Sequence, residues 1–163
     1  MAAPPSFLRS MGVIATLVAV TITLSLAWQL FQGADASGRP SQYDPGVSLS
    51  AAAKTAQTPL LIEFYSDDCG ACVQLTPLVH RVATTAFARR LKLVMINVDR
   101  PQSQDAAALF RVDSVPSVFV FDPKRMKKKT IPFAALSNPR RLEAALNSAL
   151  AGLGAQGQSG SAR

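Results

Sequence analysis

The sequence predicts an α/β sandwich: a central sheet of mixed direction, helices on both of its faces, and one membrane-length apolar segment ahead of it. Three observations carry this reading. After a short first helix, apolar runs alternate with segments of helical period in the order β-α-β-α-β-β-α. The first run, Leu60-Leu61-Ile62-Glu63-Phe64-Tyr65, is apolar on both faces, as expected of a strand covered on both sides. Finally, 163 residues suffice for one ordinary domain plus an appendage.

Residues 1–10 form an N-terminal cytoplasmic segment, and residues 11–32 carry no charge over about the length a helix needs to cross a bilayer. Two fates fit the apolar segment: a retained transmembrane anchor, or a signal sequence cleaved near Ala36, because Ala34, Asp35 and Ala36 have the small-x-small form. A secretory apolar region is usually about half as long, which favours the anchor. Arg9 lies before the segment, Asp35, Arg39 and Asp44 lie after it, and Trp28 suits an interfacial position, so the domain is expected to face outward. Residues 33–46, rich in Gly, Ser and Pro, read as a linker, with the folded domain over residues 47–153.

Within the domain, residues 48–57 read as a short helix ended by Thr58 and Pro59, and residues 59–66 as a strand. Leu75, Leu78, Val79, Val82, Ala86 and Phe87 recur at helical spacing, predicting a long helix over 70–90 with Pro77 inside it. A strand over 91–98, a helix over 103–110 with Ser103 as N-cap, and a strand over 117–121 follow. Residues 130–134 are expected to be an edge strand. Asn138 offers an N-cap, Pro139 a first helical position, and Leu142, Ala145, Leu146, Ala149, Leu150 and Leu153 the stripe of a closing helix. Residues 154–163 are dominated by polar and small residues and read as a disordered tail.

The net charge of +7 owes part to the run from Lys124 to Lys129, which reads as a solvated turn, because no stacking aromatics are interleaved with it. No nucleic-acid partner is expected. The only cysteines form Cys69-Gly70-Ala71-Cys72, and the only histidine is His80 on the same helix, a set short of ligands for a metal site; neither metal nor bound cofactor is expected.

Two cysteines three apart in a first helical turn hold their Cα atoms roughly 5 to 6 Å apart, the separation a disulfide needs. So short a loop makes a poor staple, so redox exchange explains the spacing better. The helix N-terminus favours an anion at Cys69, while Cys72 sits one turn in, so Cys69 is expected to attack and Cys72 to resolve. Asp67 and Asp68 lie immediately before Cys69 and oppose the helix end, which leans the couple toward a reductant. On pattern alone Glu63 could face solvent at a sheet edge or lie buried.

These residues resemble the thioredoxin superfamily over about residues 47–150. Ile62-Glu63-Phe64-Tyr65-Ser66 is similar to the strand entering that family's active site, Pro77 falls where the family kinks its active-site helix, and Ser114-Val115-Pro116-Ser117 resembles the loop bearing its cis-proline. Ala134-Ala135-Leu136-Ser137 resembles the last loop lining the substrate groove. The interval from Cys72 to Pro116 leaves no room for the central insertion of the cytochrome-maturation branch. Cys-Gly-Ala-Cys and the residues after Asp105 are similar to periplasmic thioredoxin-like domains that pass electrons to disulfide isomerases.

The resemblance implies a thioredoxin-like three-layer sandwich and a thiol:disulfide oxidoreductase. It places Glu63 behind Cys72 as a buried base, and Val115, Pro116 and Ala134 against an extended client segment. Three departures bear on tuning: Asp68 stands where tryptophan is usual, Ala71 follows Gly70 where proline is usual, and Met95 replaces a lysine that often accompanies the buried acid. The expectation is a membrane-tethered reductase of periplasmic client proteins. It would sit single-pass in the inner membrane and be recycled by a redox partner, either soluble or membrane-embedded. The alternatives are a dithiol oxidase of the same fold and a membrane-anchored binding module whose dithiol is idle.

Overall fold

In the computed structural model, residues 20–23 and 38–155 are described. Val20 to Thr23 are helical, and the rest of the expected anchor, residues 11–19 and 24–32, lies outside the described residues, as do residues 1–10, residues 33–37 with the alternative cleavage position near Ala36, and residues 156–163. Among the described residues no helix is long and apolar enough to cross a membrane.

The described domain contains helix α1 (Leu49–Thr55), strand β1 (Leu60–Tyr65), helix α2 (Gly70–Thr85), strand β2 (Lys92–Asn97), helix α3 (Gln104–Phe110), strands β3 (Ser117–Asp122) and β4 (Lys127–Ile131), and helix α4 (Pro139–Ala155). The strand order is β2-β1-β3-β4, with β1 parallel to β2 and the other two pairings antiparallel. That is the mixed sheet expected from the sequence.

All six residues of β1 are buried, and its alternation divides the molecule into layers. Leu60, Ile62 and Phe64 face one side, where Val94, Ile96, Phe119 and Phe121 meet Ala52 of α1 and Phe110 of α3. Phe110 lies 5.3 to 5.5 Å from the rings of Phe64, Phe119 and Phe121. Leu61 faces the other side, where Val118, Val120 and Ile131 pack under Val79 and Val82 of α2 and Leu142, Leu146 and Leu153 of α4. Helices therefore cover both faces.

Several boundaries differ from the sequence expectation, each for a local reason. The helix expected over 70–90 ends at Thr85, where the Thr84 and Thr85 hydroxyls donate to the His80 and Arg81 carbonyls at 2.8 and 2.7 Å and weaken its continuation. Ser103 does not cap α3 with its side chain: it closes a 3-10 turn, Pro101–Ser103, and its backbone is already helical. Asn138 does cap α4, its Oδ1 accepting from the Arg141 N–H at 3.1 Å.

The edge strand starts earlier than expected. Asp122 holds the β3–β4 turn by accepting from the Lys124 and Arg125 N–H groups, and Met126 takes a left-handed conformation at φ 52°. Lys127, Lys128 and Lys129 then pair with β3, so only the first half of the basic run is a turn. Lysine is compatible with an edge strand, which has one open side. Lys128 also donates to the Leu109 and Phe110 carbonyls at the end of α3.

The segment read as linker is also more structured than its composition suggests. Pro40–Tyr43 forms a 3-10 turn with Pro40 buried, and Ser48 then caps α1 by accepting from the Ala51 N–H.

Candidate active site

The parallel strand β1 ends at Tyr65, and after three intervening residues Cys69 opens α2. Cys69 is the N-cap: its backbone is extended, and its Sγ accepts from the Cys72 N–H at 3.1 Å. Neither Asp67 nor Asp68 occupies the cap. The two cysteines form a disulfide with Cα atoms 5.2 Å apart, within the separation expected from their spacing. Cys69 is partly exposed and Cys72 fully buried, so an incoming group meets Cys69 first. Gly70 is exposed, Ala71 partly buried, and no atom stands within 4 Å of where a Gly70 side chain would begin.

The loop before β3 reaches the same place. The Val115–Pro116 peptide bond is cis, Pro116 is buried, and the Val115 carbonyl oxygen lies 3.5 Å from Cys69 Sγ. Ala134 is exposed in a 3-10 turn, Phe133–Ala135, that follows β4. Because Ile131 pairs with Val118 and Val118 with Glu63, this turn emerges at the sheet end that carries the cysteines, but it lies two strands from β1. No hydrogen bond joins Ala134 to the dithiol among the described residues.

Glu63 lies in the middle of β1 between Met95 and Val118, wholly buried. It shares the face of Leu61 and Tyr65, the face on which α2 packs. The Thr76 hydroxyl donates to Glu63 Oε1 at 2.5 Å, while Oε2 has no hydrogen-bond partner among the described residues. Thr76 follows Cys72 by one helical turn, so it stands on the same side of α2. Burial raises the Glu63 pKa to about 7, and the Thr76 hydrogen bond only partly offsets it. Met95 is itself buried against Tyr65 and Cys72, so an apolar side chain stands where a cation would hold the carboxylate ionised.

Two carboxylates precede the dithiol, and they differ. Asp67 accepts from the Ser41 N–H at 2.9 Å and from Asn97 Nδ2 at 3.5 Å, which ties it to the Pro40–Tyr43 turn and to β2. Asp68 is exposed. His80 is partly buried and its ring lies 4.9 Å from that of Tyr43. A cavity of about 710 Å³ between α1, α3 and the β3–β4 turn contains neither cysteine.

Sequence reasoning passed over Thr76, Tyr43 and Asp44. Thr76 carried a usable signal, a hydroxyl four residues after Cys72 on one helix face. Tyr43 and Asp44 carried none, because their partners are distant in sequence.

A thioredoxin family model matches residues 48–144. The chain is 38% identical over 77 residues to Thioredoxin 1 of Chlorobaculum tepidum, an alignment covering 47% of this chain and 73% of that protein. It is 28% identical over 75 residues to a chloroplastic M-type thioredoxin of Zea mays, covering 46% of this chain but only 43% of that longer protein. A solved mutant thioredoxin from Halobacterium salinarum superposes with a TM-score of 0.51 at 22% identity, over 66% of this chain and 88% of that one, a likeness of fold alone. With a family match across more than half its length, on a fold that brings its two cysteines together at the end of a buried parallel strand, this chain belongs to the thioredoxin family.

Proposed function

We propose that the protein is a membrane-tethered thiol:disulfide oxidoreductase that reduces disulfides of periplasmic client proteins. The observation that carries the chemistry is the asymmetry of the dithiol, with Cys69 partly exposed beneath the Val115 carbonyl and Cys72 buried one turn behind.

In the reducing direction, the Cys69 thiolate attacks one sulfur of the client disulfide. A Cys69–client S–S bond forms, and the other client sulfur leaves as a thiolate. Cys72 then loses its proton to the Glu63 carboxylate and attacks Cys69 Sγ. The Cys69–Cys72 bond forms, the client's second sulfur leaves, and two electrons have passed to the client. A dithiol donor reverses these steps on this protein to restore it. With a pKa of about 7, Glu63 is divided between its two forms near neutrality, which suits a group that takes and returns a proton. Val115, Pro116 and Ala134 line the client side of the groove. Gly70 and Ala71 set the dipeptide between the sulfurs.

The direction of flow rests on the two carboxylates before Cys69: Asp68 is exposed, and Asp67 is fixed in place by Ser41 and Asn97. An exposed carboxylate next to Cys69 disfavours the thiolate and so the reduced form. The tether rests on the charge-free residues 11–32.

Glu63→Gln should slow release of the mixed disulfide at pH 7 by roughly 10²-fold, and should remove the rise in that rate near pH 7. The same acid affects stability. Its folded pKa lies above its unfolded value of 4.5, so the fold loses stability as pH rises from about 4.5 to about 7, by about 3 kcal/mol. Urea titrations across that range should show the loss in the parent and not in Glu63→Gln.

A glutathione series should place the dithiol near about −270 mV, and Asp68→Asn should make the potential less negative; a parent value near about −120 mV would make the protein an oxidant. Full-length protein should stay in the membrane pellet after alkaline extraction, and a phosphatase fused after Ser37 should be active outside the inner membrane. A soluble product would mean cleavage near Ala36.

A further inference from the structure

The Pro40–Tyr43 turn lies outside the stretch matched by the thioredoxin family model, which begins at residue 48, yet it is fastened to the dithiol end of the sheet. The Ser41 N–H donates to Asp67 Oδ1 at 2.9 Å, two residues from Cys69. Immediately after the turn, Asp44 Oδ2 accepts from the Tyr65 hydroxyl at 3.0 Å and lies 3.7 Å from Arg100 Nη1. Between these two attachments, the Tyr43 ring packs against the buried cluster of Tyr65, Cys72 and Met95 and against the His80 ring of α2. Asp68, at the position directly before Cys69, brings no aromatic surface.

We infer that Tyr43 is a positioning residue of the active site, an aromatic cover supplied from outside the family core that shields Cys72 and directs incoming sulfur to Cys69. The inference rests on Cys72 being the resolving thiol. A resolving thiol must be reachable by Cys69 Sγ and closed to outside nucleophiles and electrophiles, or the mixed disulfide is diverted before the intramolecular step. Helix α2 covers Cys72 from its own side, and Tyr43 closes the side on which the N-terminal turn lies. The Tyr43 hydroxyl has no hydrogen bond among the described residues, so the ring surface performs the task, and phenylalanine should perform it equally.

The test measures shielding directly and does not depend on turnover, so its failure is distinguishable from failure of the proposed reductase activity. In the full-length Cys69→Ser protein, iodoacetamide alkylates Cys72 alone: the thiolate forms an S–C bond, iodide leaves, and the rate follows by mass spectrometry. Adding Tyr43→Ala should speed alkylation roughly tenfold or more, while Tyr43→Phe should stay within about twofold of the parent. Leu146→Ala, a cavity under α4 remote from the dithiol, should lower the melting temperature and leave the rate unchanged. If Tyr43→Ala does not melt cooperatively, Tyr43→Leu carries the same expectation with a smaller acceleration. An unchanged rate in a folded Tyr43 variant, or an equal acceleration in Leu146→Ala, would overturn the inference.

Discussion

A strand buried on both faces can offer only its end to chemistry, and β1 is such a strand. Its six side chains are committed to the two cores, and its backbone is paired with β2 on one side and β3 on the other. Chemistry therefore moves to the turn beyond Tyr65, where the first turn of α2 presents one sulfur and hides the other. Because β3 runs antiparallel to β1, its entry brings the Val115 carbonyl to the same end. The site is where a parallel strand, a helix start and an antiparallel neighbour are forced to meet.

The same burial creates the acid. Alternation sends Glu63 to the face occupied by α2, where Met95 and Val118 flank it and Thr76 satisfies one of its oxygens. Without a cation beside it, desolvation dominates and the carboxyl titrates near neutrality. A buried acid of this kind weakens the fold above its unfolded pKa, and it is the group we propose as the proton acceptor of Cys72. Asp67 shows the opposite outcome: hydrogen bonds to Ser41 and Asn97 give it a structural task in joining the N-terminal turn to β2.

The element order, the core strands and the dithiol geometry were legible because each follows from local pattern: apolar alternation, helical period, and a three-residue spacing at a helix start. Asn138 and Pro139 announced α4 by the same local chemistry. Glu63 was ambiguous on pattern, since a lone acid in an apolar run fits an edge as well as a core, and only the pairing of β1 on both sides removes the edge. The start of β4 was hidden by three lysines, whose open edge tolerates charge that a central strand would reject. The N-terminal turn was illegible for a different reason. A stretch of Gly, Ser and Pro reads as a linker when its contacts are local, and here Asp44 and Ser41 find partners more than twenty positions away.

The central claim is that Cys69 and Cys72 have separate tasks imposed by their unequal exposure, and trapping measures it most directly. Cys72→Ala protein, incubated with disulfide-bonded clients and resolved without reductant, should accumulate stable mixed disulfides through Cys69, while Cys69→Ala should accumulate none. Adducts recovered only from Cys69→Ala, or in equal amounts from both variants, would contradict the account.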